Sequence, residues 1–248
     1  MLDKFEVTLP ALTGDEPRFA YVYCPDRPGK FPVLYMFDGH NVFFDEDATY
    51  GKSWGMLEYL EENDVPLIVA AVECNHSPDN GRLSEYSPFS FYNREVGHIV
   101  GRGKKTMDWM VREFKPFIDA NYPTLKGRNN TFIAGSSMGG LMSLYAITKY
   151  NTRFSKAACL SPSIWVAANQ LDALISSSNI RPGTVIYMDY GSNEMKNHPA
   201  MEKRYRKVSS MLLEKGVWLT TRIVPRGYHS EASWEKQIPF FINTLLYK

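Results

Sequence analysis

The chain has 248 residues, enough for one α/β domain with a sizeable core. Charged residues make up 22% and hydrophobic ones 44%, with a formal net charge of +1, which argues against disorder and against a polyanion-binding surface, so nucleic acid is not an expected partner. The first residues, Met1 to Val7, lack the basic start and apolar run of a signal peptide, and no stretch approaches about eighteen uninterrupted apolar residues, so a cytoplasmic protein without membrane contact is expected.

Phe5 to Leu9 and Arg18 to Cys24 read as two strands joined by a polar turn around Thr13-Gly14-Asp15, and hence as antiparallel neighbours. Pro32 to Phe37 and Pro66 to Val72 are apolar runs of the kind buried on both faces of a sheet. Leu57 to Glu62 between them reads as a helix. Glu73 to Lys105 carries little periodicity and contains Pro78, Gly81, Pro88, Gly97, Gly101 and Gly103, so it reads as a long loop bordering a substrate entrance. Next, Met107, Met110, Val111, Phe114, Phe117 and Ile118 share one helical face, with Pro116 expected to kink the helix near its end. Strand-like runs follow at Thr131 to Ala134, Lys156 to Leu160, Thr184 to Met188 and Val217 to Val224, with helical patterns at Gly139 to Tyr150, Glu202 to Glu214 and Ala232 to Leu246. Eight strands alternating with helices predict a three-layer α/β fold, a mostly parallel sheet with helices on both faces and a site at the carboxyl ends of its strands. No repeat or linker divides the chain, so a single domain over 1–248 is expected. Cys24, Cys74 and Cys159 are odd in number, far apart and beside apolar runs, which fits buried thiols better than disulfides or metal ligands.

Gly135-Ser136-Ser137-Met138-Gly139 is a G-x-S-x-G motif. By composition such a pattern arises in roughly one chain of this length in ten. Its context gives it meaning: Thr131 to Ala134 is a strand candidate before it and Leu141 to Ala146 a helix candidate after it. A nucleophile elbow needs that strand, sharp turn and helix to lift a serine hydroxyl above the sheet. Ser137, not Ser136, has glycine at both −2 and +2, and is the candidate nucleophile.

A serine hydroxyl attacks only when a base takes its proton. In a strand–elbow–helix fold the chain order is serine, acid, histidine, leaving His198 and His229 downstream. His229 follows the last strand in a Pro225-Arg226-Gly227-Tyr228 turn and is the chosen base, whereas His198, in Asn197-His198-Pro199, reads as a solvated loop histidine. His76 and His98 read as surface residues of the long loop, with substrate contact as the alternative. The acid is expected in Asp189-Tyr190-Gly191-Ser192-Asn193-Glu194, with Glu194 chosen because it lies beyond the glycine turn, and Asp189 as the fallback. The oxyanion hole is assigned to the backbone amides of Met138, after the nucleophile, and His40, in the Asp38-Gly39-His40-Asn41 loop. The His40 side chain is expected to hydrogen-bond within that loop.

These residues together resemble the esterase D-like esterases of the α/β-hydrolase superfamily, which include feruloyl and acetylxylan esterases, siderophore esterases, S-formylglutathione hydrolases and mycolyltransferases. The resemblance covers nearly the whole chain. Its landmarks are Tyr35-Met36-Phe37-Asp38-Gly39-His40-Asn41, Arg82-Leu83-Ser84-Glu85-Tyr86-Ser87-Pro88, the elbow with Gly140, Ser161-Pro162-Ser163-Ile164-Trp165, Gly191-Ser192-Asn193-Glu194 and Gly227-Tyr228-His229-Ser230. It implies Ser137, Glu194 and His229 as catalytic residues and the Met138 and His40 amides as the oxyanion hole. It also implies Trp54 and Trp165 as pocket-lining aromatics, Arg82 and Glu85 as an ion pair fixing the entrance loop, and no metal or organic cofactor. The expected activity is a serine carboxylesterase acting on feruloyl or acetyl esters of sugars or plant phenolics, with the small-molecule ester as partner and self-association left open. A siderophore trilactone esterase is the first alternative, and a non-catalytic binding module on the same fold the second.

Overall fold

The computed structural model describes residues 1–197 and 199–247, so His198 lies outside the described residues. Strands β1 (Leu2–Thr8) and β2 (Pro17–Tyr23) form an antiparallel pair with Phe5 opposite Ala20. They are followed by β3 (Val33–Met36), β4 (Ile68–Val72), a small hairpin of β5 (Phe91–Asn93) and β6 (Gly97–Ile99), then β7 (Thr131–Ser136), β8 (Lys156–Leu160), β9 (Val185–Gly191) and β10 (Trp218–Val224). The eight long strands make one sheet in the order β1-β2-β4-β3-β7-β8-β9-β10. From β4 to β10 every neighbour is parallel. The sequence-based expectation of an α/β fold built on a mostly parallel eight-stranded sheet therefore holds.

Alternation along each central strand sends side chains into two separate cores. Tyr35 and Ile133 face the core covered by the helices at Gly103–Trp109, Lys115–Asn121, Met138–Lys149, Ala168–Ser177 and Pro199–Glu214. Leu34, Met36 and Ala134 face the other core, closed by the helices at Met56–Glu62 and Ile238–Leu246. The helix after the elbow is buried at every position from Met138 to Thr148, so it can have no polar face and lies between β7, β8 and its helical neighbours.

Four details depart from the sequence reading. The expected loop Glu73 to Lys105 contains the β5–β6 hairpin and a short helix, Gly81–Glu85. Pro116 does not simply kink its helix: the turn before it widens into a π-helical stretch, Met110–Phe114, which lets the chain pass the proline without an N–H at that position. The pattern from Ala232 to Leu246 is two helices, Glu231–Glu235 and Ile238–Leu246, because Pro239 sits in the first turn of the second and starts it. The helix Ala168–Ser177 was not expected; only Leu171 and Ile175 of its ten residues are buried, too few to stand out in so polar a segment.

Candidate functional site

The parallel register brings the carboxyl ends of β3, β7, β8, β9 and β10 to one edge, and the loops leaving them carry the chemistry-bearing residues. Ser137 leaves β7 with φ 58° and ψ −119°, a conformation that an L-residue holds at a cost of about 1–3 kcal/mol. Two backbone hydrogen bonds impose it: the Ser137 amide donates to Leu160 O (2.9 Å), and its carbonyl accepts from the Ser163 amide (2.9 Å). The turn closes so tightly that a Cβ on Gly135 would lie 2.7 Å from the carbonyl carbon of Gly139, so only glycine fits there.

Among the described residues the Met138 and His40 amides donate to no protein acceptor; Met138 is the first residue of its helix and has no intrahelical partner. The His40 loop is held by the bidentate pair Arg82–Asp38 (Nε to Oδ1 and Nη2 to Oδ2, both 2.7 Å) and by the Asp38 amide, which donates to the Tyr86 hydroxyl at 3.1 Å. Burial alone would raise the Asp38 carboxyl, but the Arg82 charge and hydrogen bonds outweigh it and hold it below the usual range. The His40 ring is 5% exposed, and its Nε2 lies 3.0 Å from Thr49 Oγ1, the hydrogen bond within the loop that was expected. Burial pulls its imidazole below the ordinary histidine value, against the pull of Asp38.

His229 follows β10 and Glu194 follows β9; His229 Nδ1 and Glu194 Oε2 are 2.7 Å apart. The other Glu194 oxygen, Oε1, accepts from the Gly191 amide (2.9 Å) and from Ser161 Oγ (2.7 Å), and Ser161 Oγ in turn accepts from Trp234 Nε1 (3.1 Å). The two loops meet because Gly191 and Gly227 touch: a Cβ on Gly191 would stand 2.3 Å from Gly227 O. Trp234 also stands edge-on beneath the His229 ring, centroids 5.0 Å apart. Ser161 and Trp234 thus brace the Glu194–His229 pair, a contact that sequence reasoning did not single out. A serine ending a strand, directly after the Leu160–Asp189 pairing of two parallel neighbours, was the available signal. No hydrogen bond joins Ser137 Oγ to His229 among the described residues, though both side chains line the same cavities.

Asp189, the fallback acid, sits inside the sheet at 1% exposure and does not hydrogen-bond His229. Its Oδ1 accepts from the Ser161 amide (3.1 Å) and its Oδ2 from the Tyr187 hydroxyl (2.8 Å). Burial pushes its carboxyl up to about 7, with Tyr187 and Ser161 only partly opposing the shift. The folded state therefore holds a proton that the unfolded chain releases near the ordinary value of about 4, so this group's contribution to stability falls as pH rises from about 4 to 7 and is level above. A gap of about three pH units corresponds to on the order of 4 kcal/mol. Urea denaturation between pH 4.5 and 8 should accordingly show Asp189→Asn gaining on the native chain across that window; a pH-independent difference would contradict the assignment.

One pairing and one placement implied by the resemblance differ in the structure. Arg82 and Glu85 do not pair with each other, because each meets a closer partner from the sheet: Arg82 takes Asp38 at the end of β3, and Glu85 takes Arg18 on β2 (2.7 Å). Arg18, itself buried, requires that counter-charge. Trp54 is 3% exposed and packs on Trp234 (5.9 Å) and Phe241 (6.2 Å) in the core, lining none of the cavities at the site, so it supports Trp234 and does not face substrate. An Arg82→Met variant keeps the stem but strands the Asp38 carboxylate. With Arg82 one-third exposed, the expected loss is at the low end, about 2 kcal/mol in a urea melt. The freed His40 loop should lower kcat/KM for esters by about tenfold or more; unchanged turnover would show the pair to be purely structural.

Two cavities flank Ser137 and His229. One, of about 690 Å³, is mixed: many of its lining side chains are polar, among them Asp38, His40, Asn75, His76, Asn80, Arg82 and Glu231, but Tyr50 and Trp234 border it too. Glu231, whose carboxyl burial raises, was not singled out from the sequence. The other, of about 520 Å³, is lined by Trp165, Tyr190, Tyr228, Met201, Ser161 and Ser163. Trp165 is 49% exposed at its rim, edge-on to Phe91. His76 borders the mixed cavity, whereas His98, on β6, lines a separate cleft with Glu85 and Arg102. Cys24, Cys74 and Cys159 are buried free thiols. No helix among the described residues is long and apolar enough to cross a membrane.

The chain is similar to the uncharacterized protein YbbA of Bacillus subtilis, 27% identical over 195 residues that span 76% of this chain and 73% of the relative. Among solved structures it superposes on the siderophore hydrolase EstA from Aspergillus nidulans with a TM-score of 0.71 and 17% identity, covering 98% of this chain and 95% of that one. A ferulic acid esterase superposes with a TM-score of 0.66 at 14% identity, covering 99% and 97%. At such identities the superpositions speak for the α/β-hydrolase-like fold. Residues 13–240 match the family described as Putative esterase, and with nearly the whole chain inside that match, this protein belongs to that family and is a carboxylic ester hydrolase.

Proposed function

We propose that the protein is a serine esterase that forms an acyl-enzyme on Ser137 and cleaves esters joining an aromatic acid to a hydroxyl-rich alcohol. The observation that carries this reading is the pair of cavities meeting at Ser137, one with the aromatic rings of Trp165, Tyr190 and Tyr228 and the other with the greater number of polar side chains. An ester carbonyl above Ser137 sends one substituent into each. In the first step Ser137 Oγ attacks the carbonyl carbon while His229 Nε2 takes the hydroxyl proton. Glu194 holds the Nδ1–H of His229 and stabilises the charged ring without taking its proton. The oxyanion is received by the Met138 and His40 amides. His229 then passes its proton to the leaving alkoxide. Water, deprotonated by the same ring, releases the acid and restores Ser137.

Feruloyl-type esters of sugars are the leading substrates: Trp165, Tyr190 and Tyr228 suit a planar ring, and Asn75, Asn80 and Glu231 offer hydrogen bonds to sugar hydroxyls. A second reading, an aromatic siderophore lactone, draws on the groove beyond Trp165, where Arg94 and Lys203 stand near Arg204 and Lys207 and would attract an anionic chelate. Arg204 and Lys207 are already tied to Asp172, which weakens that reading. The test is a panel of acetyl, butyryl, feruloyl and catecholate-lactone esters. Feruloyl esters should give the highest kcat/KM, Trp165→Ala should lower it for aryl and not for acetyl esters, and an equal loss for both would sink the aromatic-site assignment.

A further inference from the structure

His40, Cys74 and His76 form a cluster for which ester hydrolysis has no use. One ring nitrogen of each histidine and the Cys74 Sγ all lie within 4.8 Å of one another, and Sγ stands 4.0 Å from His76 Nδ1. Of the two His40 nitrogens, Nε2 is engaged by Thr49, while Nδ1 is buried and has no hydrogen-bond partner among the described residues. A buried ring nitrogen without a partner is costly unless something fills the position. The His40 and His76 rings stand edge-on with centroids 4.7 Å apart, and all three residues border the mixed cavity that reaches Ser137. The spacing shows none of this: His40 follows β3 and Cys74 and His76 follow β4, and only the pairing of those strands brings them together.

We infer that His40 Nδ1, Cys74 Sγ and a ring nitrogen of His76 bind one thiophilic divalent cation of the zinc class, and that filling this site blocks the mixed cavity at Ser137. Two imidazoles and a thiolate are a donor set for Zn²⁺ and not for Mg²⁺ or Ca²⁺, which require oxygen ligands. Tetrahedral coordination at about 2.0–2.3 Å sets the donors about 3.4–3.6 Å apart. The donors, all within 4.8 Å of one another, must draw together by up to about 1.4 Å, and the exposed His76 ring supplies movement on its side of the site. On binding, the thiol proton leaves to solvent as Sγ becomes a ligand, and the fourth position faces the cavity. The cation would there oppose entry of an ester's polar group and stiffen the loop carrying the His40 amide. The blocking half of this inference rests on the esterase reading; the binding half does not.

The experiment is calorimetric titration of the chelator-stripped full-length chain with Zn²⁺, alongside hydrolysis of p-nitrophenyl acetate at the same concentrations. Expected are one site per chain, no heat with Mg²⁺, weakening by at least about tenfold in both Cys74→Ala and His76→Ala, and unchanged binding in Cys159→Ala. Co²⁺ should give a visible thiolate–metal absorption in the native chain that Cys74→Ala lacks, and metal-free thermal melts verify that each variant folds. Hydrolysis should fall with the binding isotherm and recover on adding chelator. Absence of binding, or equal binding by folded Cys74→Ala, overturns the site; stoichiometric binding with hydrolysis intact overturns the blocking. If the metal-free chain hydrolyses no ester, the esterase reading fails, while calorimetry and the Co²⁺ spectrum still decide the site.

Discussion

Ser137→Ala should lower kcat for p-nitrophenyl acetate by about four to six orders of magnitude and abolish labelling by a fluorophosphonate, with the fold intact. The size follows from the chemistry. Without Oγ no acyl-enzyme forms, and what is left is the modest rate that polarised binding in the oxyanion hole gives to direct attack by water. Stability should hardly change, because Ser137 Oγ makes no hydrogen bond among the described residues. A Ser137→Gly variant should be equally inactive yet more stable than Ser137→Ala by about 1 kcal/mol, since glycine alone relieves the positive φ of 58°. Labelling that persisted in either variant would move the nucleophile elsewhere, and equal melting temperatures would deny the strain at the elbow.

The central strands were legible because burial on both faces leaves unbroken apolar runs such as Val33 to Met36 and Ile68 to Val72. The elbow was legible because its geometry restricts residue choice: a Cβ at Gly135 has no room. Glu194, in the short helix Ser192–Asn197, and His229 could be found from chain order, since β9 and β10 deliver them to the same edge. What could not be read is partner choice across the sheet. Arg82 and Glu85 are three residues apart on a short helix, yet their counter-charges, Asp38 and Arg18, are 44 and 67 residues away in sequence. Trp54 likewise follows the Asp38–Asn41 loop, but the chain packs it against Phe241. The Glu73 to Lys105 segment hid its hairpin because three-residue strands carry too little alternation to register.

Glu194→Gln should reduce kcat by about 10³- to 10⁴-fold, or on the order of 4–5 kcal/mol of transition-state stabilisation, while Asp189→Asn should leave kcat within about threefold. Glu194 Oε2 faces His229 Nδ1, so an amide nitrogen there would present a donor to a donor and favour the tautomer with its proton on Nε2, where the base needs a lone pair. An amide oxygen turned to His229 instead would aim the NH₂ group at the Gly191 amide and oppose its N–H. Either orientation breaks the arrangement, which is why the expected loss is large. Asp189 tolerates the corresponding change: Asn Oδ1 still accepts from the Ser161 amide, and Tyr187 can turn its hydroxyl proton toward Gln237 Oε1, 3.4 Å away, and accept from Nδ2. The two variants separate acid from scaffold in one comparison. Were Asp189→Asn the more damaging to kcat, the acid would lie inside the sheet and the Glu194–His229 pair would be an incidental surface contact.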